Sequence, residues 1–281
     1  MKYVFIGGGA MATALIGGVV GSGKGAADIR VVDPNDAQQI RLTTVFPQVQ
    51  SYSRLEDTLF EEVDVVVLAV KPQLLQMAAR QLAPFTPAIP AVLSVAAGVR
   101  VKDISRWLGG YPAVIRAMPN TPAQVGAGYT GVYAAPEANE AARNHVHELL
   151  ESVGNVFWLN HEEMLDVVTA LSGSGPAYVF YFLENLEAAA HSLGLREGSA
   201  RAIALNILSG GLALAQRGNT PFAELRARVT SKGGTTERAI QVFDHAGVDK
   251  AIQEAVHAAW QRAAELGDEL GNDDHPEASA G

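Results

Sequence analysis

The amino terminus narrows what this chain can fold into more than any other stretch. Lys2 to Ile6 is a short run rich in β-branched and aromatic residues, and it passes directly into Gly7-Gly-Gly-Ala-Met-Ala12. Thr13 to Val19 then carries apolar residues at helical spacing. Strand, tight turn and helix are implied in that order. Gly-x-Gly-x-x-Ala lets a backbone approach a pyrophosphate, whose charge the free N–H groups of a helix start can hold. The glycine pattern alone is a weak signal. It gains weight from Ile29 to Asp33, a second strand that ends in an acid roughly twenty residues further on, where a dinucleotide's ribose hydroxyls would be bonded.

Strands and helices go on alternating through the first half. Glu62 to Val70 is a continuous apolar run of the kind buried on both faces of a parallel sheet, and Lys71-Pro72 ends it. Ala91 to Val95, Ala113 to Ala117, Tyr129 to Ala134 and Val156 to Leu159 read as further strands, with helical segments between most of them. The expectation is an α/β, Rossmann-type, doubly wound parallel sheet over residues 1–160. From His161 the strand signal stops. Residues 161–270 read as helices punctuated by glycines at 194, 211, 218, 247 and 271. Ala177 to Leu193 is apolar nearly all round, with Tyr178, Phe180, Tyr181 and Phe182 clustered. Such a helix needs a covering partner, either its own core or a twin chain. The acidic stretch 271–281 lacks apolar periodicity and reads as disordered.

Composition removes several classes of function. The net charge of −9 argues against nucleic acid as a partner. No run of about eighteen apolar residues is seen, so no membrane span is expected. Residues 1–15 share features with a short signal peptide, but the glycine fingerprint accounts for them better. With no cysteine there is neither a disulfide framework nor thiolate chemistry, which fits a cytoplasmic enzyme. None of the seven histidines lies in a dense polar motif, so no metal site is expected. Their placement also bears on the reaction. Oxidising an alcohol calls for a base to take the hydroxyl proton, whereas reducing an imine does not.

Five loops could carry chemistry. Lys71, at the end of a buried strand, suits a phosphate or ribose contact, or is a solvated lysine. Ala96-Ala-Gly98 is small enough to leave room for a flat nicotinamide ring. In Met118-Pro-Asn-Thr-Pro122 two prolines stiffen a loop that presents Asn120 and Thr121, although turn chemistry alone explains the prolines. Leu171 to Ala177 interrupts a helical pattern, with Ser174 suited to an N-cap and Pro176 to a first turn. Val229 to Glu237 joins two helices through Gly233 and Gly234. Consecutive backbone N–H groups there form an anion nest suited to a carboxylate, with hydroxyls at Ser231, Thr235 and Thr236 beside it. The plainer reading of that loop is a helix N-cap at Thr235 or Thr236.

Together these motifs resemble the pyrroline-5-carboxylate reductase family. Gly7-Gly-Gly-Ala-Met11, Ala69-Val-Lys-Pro72, Ala96-Ala-Gly98, Met118 to Pro122, Ser172 to Tyr178 and Thr230 to Thr236 occur in that family's order and spacing. The resemblance runs from Tyr3 to about Leu270. It implies NADPH- or NADH-dependent reduction of 1-pyrroline-5-carboxylate, a small cyclic imino acid, to L-proline. It also implies a helical dimerisation domain, a homodimer and in some members a ring of dimers. By position, Ile6, Gly7, Gly8, Gly9, Ala10 and Met11 would wrap the pyrophosphate and Asp33 would sit at the ribose. Ala69, Val70, Lys71 and Pro72, with Ala97 and Gly98, would follow the cofactor. Ser231, Gly233, Gly234 and Thr235 would cradle the substrate carboxylate, with Thr236 meeting the ring nitrogen as the catalytic hydroxyl. Asn120 and Glu162 would neighbour the substrate.

The sequence departs from the family pattern at two places. Lys232 stands where a proline is usual, which removes a rigid turn residue and adds a charge beside an anion site. Asp33 stands where many members have a neutral polar residue. It would repel a 2′-phosphate, which predicts tolerance of NADH, with Arg30 or Arg54 as compensating cations for NADPH. Two other readings compete. A β-hydroxyacid dehydrogenase would use a lysine after the Gly-Ser-Gly turn, but no lysine occurs between Lys102 and Lys232. A non-catalytic dinucleotide sensor would have no need of the 233–236 nest.

Overall fold

The structure, a computed structural model, describes residues 1–23 and 28–272. Its centre is an eight-stranded sheet. The strands are β1 (Tyr3–Ile6), β2 (Ile29–Val32), β3 (Gln50–Tyr52), β4 (Val65–Leu68), β5 (Val92–Ser94), β6 (Val114–Met118), β7 (Gly128–Ala134) and β8 (Gly154–Trp158). They are ordered β3-β2-β1-β4-β5-β6-β7-β8. The chain therefore reverses its direction of travel across the sheet between β3 and β4. That is the switch point at which open α/β sheets bind ligands beyond their carboxyl ends.

Alternation along the central strands explains their uniformly apolar sequence. Tyr3, Phe5, Val65 and Val67 enter one buried cluster, while Val4, Ile6, Val66 and Leu68 enter the other. Helices α1 (Ala10–Gly21), α2 (Asp36–Val45), α3 (Leu75–Leu82), α4 (Val101–Trp107) and α5 (Glu140–Glu151) connect the strands. Two features differ from the sequence reading. β3 has only three residues, and its polar Gln-Ser-Tyr carries no hydrophobic pattern; pairing with β2 alone defines it. β7 runs antiparallel to β6, because the link between them is a single 3₁₀ turn, Thr121–Val125, and not a full crossover helix.

The later helices are α6 (Met164–Val168), α7 (Gly175–Ser192), α8 (Glu197–Ala215), α9 (Phe222–Arg228), α10 (Thr235–His245) and α11 (Val248–Gly271). Strands give way to helices near residue 160, but compactness divides the chain later. One unit is residues 1–174 with the chain from Ala259 onward, and the other is Gly175–Ala258. Residues 161–174 remain with the sheet because Val168 fills the space over Gly131, where an added Cβ would lie 2.9 Å from it. The acidic tail expected from 271 lies, from residue 273, outside the described residues, and Gly271 closes α11. By length and composition α8 could cross a membrane, with mean hydropathy 1.2, although the sequence reading expected no such span.

Candidate cofactor and substrate sites

The turn after β1 is fixed by close approach. Gly7 has φ +96°, and a Cβ there would lie 2.8 Å from the Ala69 carbonyl oxygen. Its N–H donates to Val32 O at 2.8 Å, and the Ala69 N–H donates to Ile6 O at 2.8 Å. These bonds tie the three switch-point strands together at their carboxyl ends. Gly9, in extended conformation, is the N-cap of α1 and has nothing within 4 Å of its missing Cβ. The space over the helix start is open, as a pyrophosphate would require. Ala10 and Met11 open the helix, and Ala12 is fully buried against the sheet.

Asp33 has a second task that the sequence did not announce. Its Oδ2 accepts the Gly8 N–H at 2.8 Å and its Oδ1 the Asn35 N–H at 2.9 Å. Gln38 holds the Gly8 carbonyl from the other side. The carboxylate shapes the glycine loop and keeps lone pairs for ribose hydroxyls. A cleft of about 1010 Å³ opens here, lined by Ile6, Gly7, Gly9, Asp33, Ala69, Val70, Lys71 and Arg54, among others. Lys71 caps the short 3₁₀ turn Pro72–Leu74. Arg54 bonds Glu56 through Nε at 3.0 Å. Arg30 does not serve the cleft: its guanidinium donates to the Leu59 and Glu61 carbonyls. Ala97 and Gly98 do not line this cleft either; Gly98, at φ +84°, sits against Leu266, Gly267 and Leu270 of α11.

Two expected substrate neighbours are committed to holding the fold. Asn120 Oδ1 accepts the Tyr129 N–H at 3.0 Å, and its Nδ2 donates to Ser172 Oγ at 3.0 Å. Ser172 in turn donates to Tyr129 O at 2.8 Å. The clasp joins β7 to a π-helical turn, Thr169–Gly173. Ser174 lies in helical conformation and donates its N–H to Thr169 O at 2.9 Å, so it is not the N-cap expected of it. The widened turn carries the chain into α7 without a break ahead of Pro176. Glu162 Oε1 accepts the Val101 N–H at 2.7 Å, capping α4, whose N-cap residue Arg100 makes no side-chain cap bond. The same carboxylate pairs with Arg116, which is only 6% exposed inside β6. An arginine within an apolar strand needs such a partner, and that was the signal in Val-Ile-Arg-Ala for finding it. Burial also pushes the nearby Asp166 carboxyl above its ordinary range.

In the second unit, the loop before α10 is a tight turn. Gly234 N–H donates to Ser231 O at 3.0 Å, and Gly233 has φ +74°. Gly234 is the extended N-cap of α10, whose first backbone bond within the helix is Arg238 N–H to Gly234 O. The N–H groups of Thr235, Thr236 and Glu237 therefore precede the helix's own ladder. Ser231, Thr235 and Thr236 are exposed beside them. Glu237 reaches back one turn and accepts the Gly233 N–H at 2.7 Å. Among the described residues no group of three or more acids or histidines could hold a metal ion.

Comparison with known proteins bears on both sites. Residues 162–266 match the family described as pyrroline-5-carboxylate reductase dimerisation, and residues 2–98 match NADP oxidoreductase, coenzyme F420-dependent. A pyrroline-5-carboxylate reductase from Pseudomonas aeruginosa is 39% identical over 270 residues, covering 96% of this chain and 98% of the relative. One from Synechocystis is 37% identical, covering 93% and 97%. Among solved structures, the pyrroline-5-carboxylate reductase from Coxiella burnetii superposes with TM-score 0.85 at 34% identity, covering 94% of this chain and 98% of its own. A Plasmodium falciparum pyrroline carboxylate reductase, solved with NADP bound, gives TM-score 0.84 at 23% identity, covering 95% and 98%, and shows the likeness of fold.

Proposed function

Given that the chain belongs to the pyrroline-5-carboxylate reductase family, we propose that it reduces 1-pyrroline-5-carboxylate to L-proline with NADPH or NADH, the last step of proline biosynthesis. The two compact units divide the work. The start of α1, from Gly7 to Met11, holds the pyrophosphate. Asp33 bonds the ribose, and Ala69 to Pro72 run along the cofactor with Ala97 and Gly98 near its nicotinamide end. Asp33 admits NADH, and Arg54, which lines the cleft together with Lys71, is the cation that a 2′-phosphate would meet. When bound, the reduced nicotinamide supplies the hydride that the imine carbon takes.

The rest falls to residues 231–236. The Ser231 hydroxyl and the N–H groups of Thr235 and Thr236 cradle the substrate carboxylate, and the Thr236 hydroxyl orients the ring nitrogen and supports its proton. Asn120 and Glu162 fix loops of the first unit, the one clasping β7 to the 169–173 turn and the other capping α4 and pairing with Arg116. Most of the rate then comes from positioning. The helical unit assembles the chain as a homodimer, with a ring of dimers as the larger assembly, in the cytoplasm. The observation that carries the reading is the exposed start of α10 after a Gly-Gly turn, where the N–H groups of Thr235 and Thr236 precede the helix ladder and Ser231, Thr235 and Thr236 are exposed. Thr236→Ala should lower kcat by about 100-fold or more while the NADPH dissociation constant stays within about twofold of the parent. Unchanged turnover in that variant would remove Thr236 from the mechanism.

A further inference from the structure

The turn that opens the carboxylate cradle is built without its usual stiffener. In a four-residue turn with positive φ at the third position, proline is favoured at the second because its ring fixes φ. The third residue here is Gly233, at φ +74°, and the second is Lys232. Lysine leaves that dihedral free, which enlarges the set of competing loop shapes by about two- to fivefold relative to proline. The N-cap, Gly234, has no side chain with which to close the helix start. The Gly233 N–H, one residue ahead of the cap, lies outside the reach of any N-cap side chain, which would serve the second or third helical N–H. Glu237, one turn into α10, supplies a partner: its carboxylate accepts that N–H at 2.7 Å, as a charge-assisted bond at the positive end of a helix.

We propose that Glu237 is a positioning residue for the substrate carboxylate, supplying by a hydrogen bond the rigidity that proline would give at position 232. The proposal rests on the reading that residues 231–236 cradle that carboxylate, and it refines it. Gly233 leaves the set of anion contacts, because its N–H is already taken by an internal carboxylate. The Gly234 N–H is likewise taken, by Ser231 O at 3.0 Å, so Ser231, Thr235 and Thr236 remain.

The test compares Glu237→Ala, Glu237→Gln, Lys232→Pro and the double variant Lys232→Pro/Glu237→Ala. The readouts are the KM for pyrroline-5-carboxylate, kcat, and calorimetric dissociation constants for proline and NADPH. Losing one charge-assisted bond should raise the imino-acid KM and the proline dissociation constant about five- to tenfold, with kcat and NADPH binding held. Glu237→Gln, which keeps an acceptor oxygen, should recover most of the loss. Lys232→Pro should bring the alanine variant back to within about twofold of the parent. Glu237→Ala with parental KM, or a defect that Lys232→Pro leaves untouched in a folded protein, overturns the proposal. Ser231→Ala and Thr236→Ala report on the cradle itself. If both leave proline binding intact, the cradle reading falls. If they weaken it while Glu237→Ala does not, only the role of Glu237 falls.

Discussion

At the scale of single residues, Gly7 and Gly9 are glycine for opposite reasons. Gly7 is forced by the protein: φ is +96° and an added Cβ would lie 2.8 Å from a backbone oxygen and 2.9 Å from Val70. Gly9 is free of the protein, with φ −65° and empty space where its Cβ would be. Gly7→Ala should therefore cost about 1–3 kcal/mol of folding stability. Gly9→Ala should leave the melting temperature level or slightly raised and weaken NADPH about tenfold or more by intruding on the pyrophosphate. Thermal melts with and without cofactor separate the two. A Gly9→Ala protein that binds NADPH normally would show that nothing needs that space. Both glycines were legible from the sequence, because a dinucleotide turn is local. The double duty of Asp33 was not, since the Gly8 N–H it accepts lies twenty-five positions away in sequence.

Among elements, the same contrast between local and long-range information holds. Helix α7 could be read within two residues, as Ala177 to Leu193, and glycines 194, 218 and 247 do fall between helices, whereas Gly211 lies inside α8. The direction of β7 could not, because it depends on how little chain separates it from β6. Nor could the long-range bonds of Asn120 and Glu162, residues that the family resemblance sets beside the substrate and that here form a clasp and a brace. Glu162 joins the helical stretch after β8 to the start of α4 and to Arg116 inside β6. Removing one member of a buried pair leaves the other uncompensated, so Glu162→Ala should cost about 3 kcal/mol or more. Glu162→Gln, still able to cap Val101, should cost less. Urea unfolding of the two variants gives the comparison, and equal stability to the parent would show that water already screens Arg116.

For the whole molecule, the second unit poses the largest question, because its helices bury so little. α7 has no buried residue, and α8 buries only Ala200 and Ala204. Phe180 is 65% exposed, Tyr181 71% and Leu212 60%. Scattered apolar residues on a surface are ordinary, but a whole helical face of them marks an interaction surface. A lipid bilayer and a second copy of the chain are the two covers that the composition of α8 allows. The second is favoured by the match of residues 162–266 to a dimerisation family. If folding and pairing are one event, the melting temperature must rise with protein concentration, since association stabilises only the folded state. We expect light scattering in detergent-free buffer to give at least a dimer. Tyr181→Asp should shift it toward monomer and lower the melting temperature, with turnover falling in parallel. A monodisperse, active monomer whose melting temperature ignores concentration would mean that this apolar face is covered some other way. Recovery only in detergent would point to the bilayer.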